Sequence, residues 1–303
     1  LGEEKKYKRN WHEYNEELIR RGTFYLDFAW VKNWNKELHE MNEGKVGRPY
    51  EYPNSLIELQ SIWLHLTDLR GVEGITREVA EKGEIPQANV FSTVSRRVNM
   101  MKLKFQLPKD KDIHCATDMT GVKLNMSGEY FEKMYGDGKK KFIKVTITAN
   151  PYTKELYETD VAIEGEELSE PDTAMTHMAE ISGLGYNILK FWGDGQYGTH
   201  DLFDFLDWHN IESAVKIRKD AIIDPGGGSV RRSIEVAKFK ELGYDKWAEE
   251  RSYGMRWPGT EGIISAVKRK FGERVRAKKE ENMLREAKRK FWAYEVIRKY
   301  AKA

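Results

Sequence analysis

The chain has 303 residues, 40% hydrophobic and 33% charged, with 9 Trp and 15 Tyr, a composition that excludes a disordered protein and provides for a sizeable core in two domains rather than one. No apolar run approaches the ~20 residues needed to cross a bilayer, the first ten residues are polar and basic, and the single Cys115 excludes an intramolecular disulfide and a thiolate-rich zinc site, so a cytoplasmic protein is expected, with a start at Leu1 that is truncated or non-standard. The net charge of +2 hides a balance of −11 over 151–210 and +8 over 261–303; a basic tail suits a polyanion, and a solvated charged helix reads the same way.

Residues 11–45 read as short helices whose aromatics (Trp11, Tyr14, Phe24, Phe28, Trp30, Trp34) belong to a core, followed by a linker loop from Gly44 to Pro53. Ser55 and Glu58 have the spacing of a capping box, and Leu56, Leu59, Ile62, Trp63, Leu66 and Leu69 continue as one helical stripe. A second helix follows Gly71 and ends at Gly83, with Ile75 and Val79 inward. A third begins near Asn89, with Phe91, Val94 and Val98 on its apolar side and Ser92, Ser95, Arg96 and Arg97 on the other. Such a trio resembles a helix-turn-helix with a recognition helix, in which Arg96 and Arg97 would meet DNA; many three-helix bundles have the same pattern.

From Ile113 the pattern changes to strands: Ile113 to Leu124, then, beyond a Gly- and Lys-rich loop at 136–141, Phe142 to Ala149 and Leu156 to Ile163. A helix from about Leu168 to Ser182 precedes a buried strand, Ile188 to Trp192, which ends at Gly193-Asp194-Gly195. Thr199 caps a further helix, and Ile211 to Ile217 is the fifth strand. Three strands followed by helix, strand, helix and strand predict an α/β fold, a mixed five-stranded sheet with flanking helices behind an all-helical N-terminal region. The flexible loop Asp224 to Ser229 fits no nucleotide-binding pattern and lies in an insertion at 218–252; the final segment, Lys278 to Tyr300, is a long basic helix.

Two acids interrupt these apolar strands. Asp118 lies on the first and Asp194 closes the fourth, where a carboxylate without a compensating cation costs several kcal/mol of desolvation. A third acid, Glu261, stands on a short helix released by Pro258-Gly259. Lys268, two turns on, points the same way, while Ile263, Ile264, Val267 and Phe271 form the buried stripe. If the first and fourth strands are neighbours, Asp118 and Asp194 meet at one end of the sheet, and with Glu261 they form an all-oxygen site suited to two Mg²⁺ or Mn²⁺ ions about 3.5–4 Å apart. A turn cap for Asp118 or Asp194 and a solvated helix face for Glu261 are the plain structural alternatives.

These three acids, in this order of elements, resemble the ribonuclease H-like catalytic core of DDE transposases from insertion sequences. One branch of that family carries Tyr-x2-Arg-x3-Glu-x6-Lys around its third acid. Here Tyr253 and Arg256 have 2 residues between them and Glu261 and Lys268 have 6, but 4 residues rather than 3 separate Arg256 from Glu261. Thr117-Asp118-Met119-Thr120-Gly121 and Trp192-Gly193-Asp194-Gly195-Gln196-Tyr197 are similar to the motifs of the first two acids. The resemblance covers about 113–272, the expected catalytic domain, between a DNA-binding region at 1–112 and a basic helix at 273–303. It implies an enzyme that binds transposon ends, cleaves DNA with metal-activated water and joins the freed 3′-hydroxyl to target DNA, as a homodimer or larger on the ends. It further implies that Asp118, Asp194 and Glu261 are metal ligands and that Tyr253, Arg256 and Lys268 contact DNA. A catalytically inactive DNA-binding descendant and a simple nuclease are the alternatives.

Overall fold

The structure, a computed structural model, describes residues 10–124, 142–223 and 228–302. The expected loop at 136–141 and residues 224–227 of the second glycine loop lie outside the described residues. The described chain forms two compact units, 10–102 with 293–302, and 103–292.

The first unit contains α1 (Trp11–Thr23), α2 (Trp34–Asn42), α3 (Asn54–Trp63), α4 (Leu69–Glu81) and α5 (Phe91–Met100). Leu56, Ile57 and Trp63 of α3, Val72 and Val79 of α4, and Val94 and Val98 of α5 share one apolar cluster. At its centre the Gln60 amide donates to Thr76 Oγ1 and Asn89 Oδ1 at 2.9 and 2.5 Å, so each buried polar group there has a partner. The expected single stripe from Leu56 to Leu69 is two helices, because Asp68 caps α4 by accepting from the Gly71 amide at 2.8 Å, and Leu66 in the turn between them is exposed. Nor does Ser55 form a capping box. Its amide and hydroxyl both donate to the Glu37 carboxylate, at 3.0 and 2.6 Å, tying α3 to α2, and α3 starts behind Pro53.

The second unit is built on a sheet of order β3-β2-β1-β4-β5, from β1 (Asp112–Lys123), β2 (Phe142–Ala149), β3 (Leu156–Ile163), β4 (Asn187–Gly193) and β5 (Glu212–Val215). The first three strands are antiparallel neighbours, whereas β1, β4 and β5 run parallel, a mixed α/β arrangement consistent with a ribonuclease H-like core. Two helices follow β3 and β4, α6 (Glu170–Gly183) and α7 (His200–Trp208), capped by the side chains of Ser169 and Thr199. Alternation along β1 places Ile113 and Cys115 in the large apolar cluster with residues of α6 and α7, and Ala116 in a smaller one with Trp192 and Ala214. By the same period Asp118 falls on the Ala116 side.

Within the expected insertion lies an unanticipated helix, α8 (Val230–Glu250), kinked at Gly243, where φ is 72°. It is held by buried Val236 and Trp247 and by an ion pair between Glu235 and Arg251. The chain ends with α9 (Arg256–Gly259), α10 (Glu261–Phe271) and α11 (Glu280–Lys302). Among the described residues no helix is long and apolar enough to cross a membrane.

Candidate active site

Register brings the first two acids together. β1 and β4 run parallel with Ala116 opposite Trp192, so Asp118 and Asp194, each two residues further on, stand beside each other where β4 ends, while β1 continues along β2 to Lys123. Asp194 then caps the next turn, its Oδ1 accepting from the Gln196 amide at 2.7 Å. That turn is tight: a Cβ on Gly193 would lie 2.8 Å from the Tyr197 side chain, so only glycine fits there.

The third acid arrives on a different element. Buried Thr260 breaks the chain between α9 and α10 at φ −122°, ψ −71°, and α10 starts at Glu261 with Ile263, Ile264, Val267 and Phe271 buried as expected. Gly259, just before it, packs backbone to backbone on Pro151, where a Cβ would stand 2.5 Å from the Pro151 Cα. At the far end, Lys290 of α11 donates to the carbonyls of Phe271, Gly272 and Arg274 at 3.0, 2.9 and 2.6 Å, closing the helix terminus.

Asp118, Asp194 and Glu261, with 75 and 66 residues between them in sequence, line one cavity of about 520 Å³. Arg256, Lys268 and Arg269 line it too, with Thr120, Ser265 and Glu273. Arg256 forks across it: Nη1 donates to Asp118 Oδ2 at 2.9 Å and Nη2 to Glu261 Oε1 at 2.5 Å. The Thr260 hydroxyl donates to the same Asp118 oxygen at 3.2 Å. Burial raises the Asp118 carboxyl above its ordinary range against the pull of Arg256, the Met119 amide and Thr260, and the charge of Asp194 pushes it up further. Burial also opposes the Arg256 charge, but Tyr253, Asp118 and Glu261 more than offset it.

The all-oxygen donor set suits a hard divalent ion, and two of the acids, Asp118 and Glu261, already hold a positive group, the Arg256 guanidinium. Among the described residues no three acidic, histidine or cysteine side chains are drawn close enough to hold a metal ion. Arg256 stands between two of the acids, and its charge is what compensates them.

Two residues expected to contact DNA are turned into the protein. Tyr253 is buried, with its ring centroid 5.3 Å from that of Trp247 and the Arg256 guanidinium 5.8 Å away, so it supports Arg256 and offers no free face to a base. Arg97 is turned inward, where it donates to the Tyr52 carbonyl at 3.1 Å and Asn54 Oδ1 at 2.9 Å and lies 4.4 Å from the Tyr50 ring centroid, because its place on α5 faces the chain before α3. Arg96 is exposed, as expected.

Some residues near the acids carried no sequence signal. Thr260 is an ordinary residue in a loop until the fold shows what it touches, and Gly259 reads only as part of the break before the Glu261 helix. Glu170, the first residue of α6, is a fourth nearby acid: burial raises its pKa, the charge of Asp194 raises it further, and the adjoining Tyr197 hydroxyl pulls it back. That hydroxyl is buried without a partner at full hydrogen-bond geometry, and its electrostatic interaction with Glu170 holds it. A helix opening on an acid straight after the third strand was the only available hint.

No curated protein matches the chain. A model of the Transposase DDE domain matches residues 19–127, which takes in α2 to α5 and β1 with Asp118 and stops before Asp194 and Glu261. That match supports a DDE transposase acting on DNA.

Proposed function

We propose that the chain is a metal-dependent DNA transposase that cleaves at transposon ends and joins the freed 3′-hydroxyl to target DNA. The observation that carries this reading is the convergence of Asp118, Asp194 and Glu261, remote in sequence, on one cavity edged by Arg256, Lys268 and Arg269. Mg²⁺ or Mn²⁺ held by the three carboxylates would activate water for cleavage and steady the leaving oxygen. The protein side of the chemistry is positional. Thr260 and the Met119 amide orient Asp118, Asp194 is fixed by its turn, and Glu261 is placed by α10. Lys268 and Arg269 neutralise phosphate beside the reacting bond, and Arg256 adds a fork that matches phosphate as it matches carboxylate. Exposed Arg96 on α5 contributes to end recognition by the helical unit, and two ends call for a homodimer or larger.

Glu261→Gln keeps size and hydrogen bonding and removes the charge a metal needs. It should abolish Mn²⁺-supported nicking of end-bearing DNA and leave retention of that DNA in a gel-shift assay nearly unchanged. Full nicking by this variant, or equal loss of nicking and binding, refutes the role given to Glu261. Joined products alongside nicks separate a transposase from a simple nuclease.

A further inference from the structure

We propose that Arg256 is the resident counter-cation of the acidic cavity, that divalent ions must displace it, and that the displaced guanidinium passes to a DNA phosphate. This inference rests on the metal-dependent reading above and assigns an order to its steps.

One guanidinium ties together acids from two elements, Asp118 of β1 at 2.9 Å and Glu261 of α10 at 2.5 Å. The Arg256 and Asp118 side chains are 13% and 15% exposed, so this is a largely desolvated pair rather than a loose surface contact. While the fork is in place, Asp118 and Glu261 cannot close with Asp194 round an ion, which fits the absence of a ligating trio among the described residues. The cavity lining sets the four carboxylates of Asp118, Asp194, Glu261 and Glu273 against the three cations of Arg256, Lys268 and Arg269, a small acidic excess, so a divalent ion is still drawn in.

The displacement needs no refolding. Arg256 opens the one-turn helix α9, which follows the turn Tyr253–Met255 and whose far end is held by Gly259 against Pro151. A rotamer change of the Arg256 side chain is enough to free the acids. Lys268 and Arg269 already line the cavity, so a phosphate held there lies within the same cationic rim as the released fork. Metal binding and phosphate binding then favour each other, because each competes for one side of the same arginine bridge.

The test is Mn²⁺ binding to the purified chain without DNA, followed by electron paramagnetic resonance, for the wild type, R256Q, R256K and D118N, with circular dichroism to verify folding. A bridge closed nine times in ten lowers apparent metal affinity about tenfold, so R256Q should bind Mn²⁺ on the order of tenfold more tightly than the wild type. R256K, which keeps the charge and loses the fork, should lie between them and decides the matter if R256Q does not fold. D118N should bind more weakly than the wild type. Adding a short DNA duplex should tighten Mn²⁺ binding in the wild type and leave R256Q unchanged. Unchanged or weaker binding by both Arg256 variants, with D118N still weakened, overturns the counter-cation role and leaves the metal site standing. Equal tightening by DNA in R256Q overturns the handover to phosphate. Wild-type affinity in D118N, or no Mn²⁺ binding by the wild type, removes the metal reading itself and this inference with it.

Discussion

Gly259→Ala isolates how Arg256 and Glu261 are held in register with Asp118. The added methyl would stand 2.5 Å from the Pro151 Cα and 3.0 Å from its Cβ, where ordinary contact begins at 3.4 Å, so the two segments must part by about 1 Å. Neither side yields readily. Pro151 sits in a turn pinned by the Asn150 side chain, which accepts from the amides of Tyr152 and Thr153 at 2.8 and 3.1 Å and donates to the Tyr157 hydroxyl at 2.8 Å. Overpacking of this kind costs about 1–3 kcal/mol. A shift of about 1 Å in the segment carrying Arg256 and Glu261 lowers turnover by roughly 10²-fold. Gly262→Ala is the control, since its methyl would meet only the Trp257 carbonyl of α9 at 3.5 Å, an ordinary contact. It should be neutral, or stabilising by about 0.5–1 kcal/mol through helix propensity. Thermal unfolding and metal-supported DNA nicking, measured on both variants, form the assay. A Gly259→Ala protein with wild-type melting and wild-type nicking refutes the argument that α9 is positioned by its contact with Pro151.

The two neighbouring arginines of α5 should separate cleanly. Arg97→Ala removes two charge-assisted hydrogen bonds and a cation–π contact inside the helical unit and should lower its stability by about 2–4 kcal/mol in urea unfolding. Arg96→Ala should leave stability unchanged and flatten the salt dependence of DNA binding by about one phosphate contact in a filter-binding titration. Lys290→Met orphans three carbonyls at the end of α10 and should destabilise the fold by about 2–4 kcal/mol, with retention of wild-type stability contradicting the capping role. His177 lies buried on α6, its Nδ1 2.8 Å from Thr148 Oγ1, and burial lowers its pKa below the usual 6.5, with Glu158 and Asp160 opposing and Lys288 assisting. The unfolded chain therefore binds the proton more readily, and this contribution to stability is complete above pH 6.5 and is lost as pH falls toward the folded value. His177→Gln should flatten thermal stability over that window, and an unchanged pH profile would show that His177 is not the titrating group.

The sheet was legible because its strands are defined by short-range chemistry. Phe142 to Ala149 and Leu156 to Ile163 are β-branched runs bounded by turn residues, and both strands have the limits their sequences predict. Asp118 stood out for the opposite reason, as a charge in an apolar strand that needs a compensating partner. That the partner is Arg256, 138 residues away, follows only from the β1–β4 register and the seat of α9, neither of which is local. The same limit explains Arg97, whose neighbours were polar and so read as surface, while Tyr50, Tyr52 and Asn54, which enclose it, lie more than 40 residues away. Helix α8 was hidden because few of its positions are apolar and buried, so no continuous stripe announced it.

The cavity therefore combines two opposed requirements. Folding alone would favour an apolar residue at position 118, since burial raises its carboxyl and Asp194 raises it further, and the fold tolerates the acid because Arg256 and Thr260 reach it. A group that compensates the acids without binding them permanently keeps the pocket folded and still lets it exchange one cation for another. A buried apolar residue would give stability without exchange, and an unpaired acid exchange without stability. The arginine fork meets both requirements because its alternative partner, a phosphate, has the geometry of the carboxylates it leaves. On this argument the protein departs from local folding rules at Asp118 because its function requires a charge there, and its compensation is found in the residues flanking Glu261.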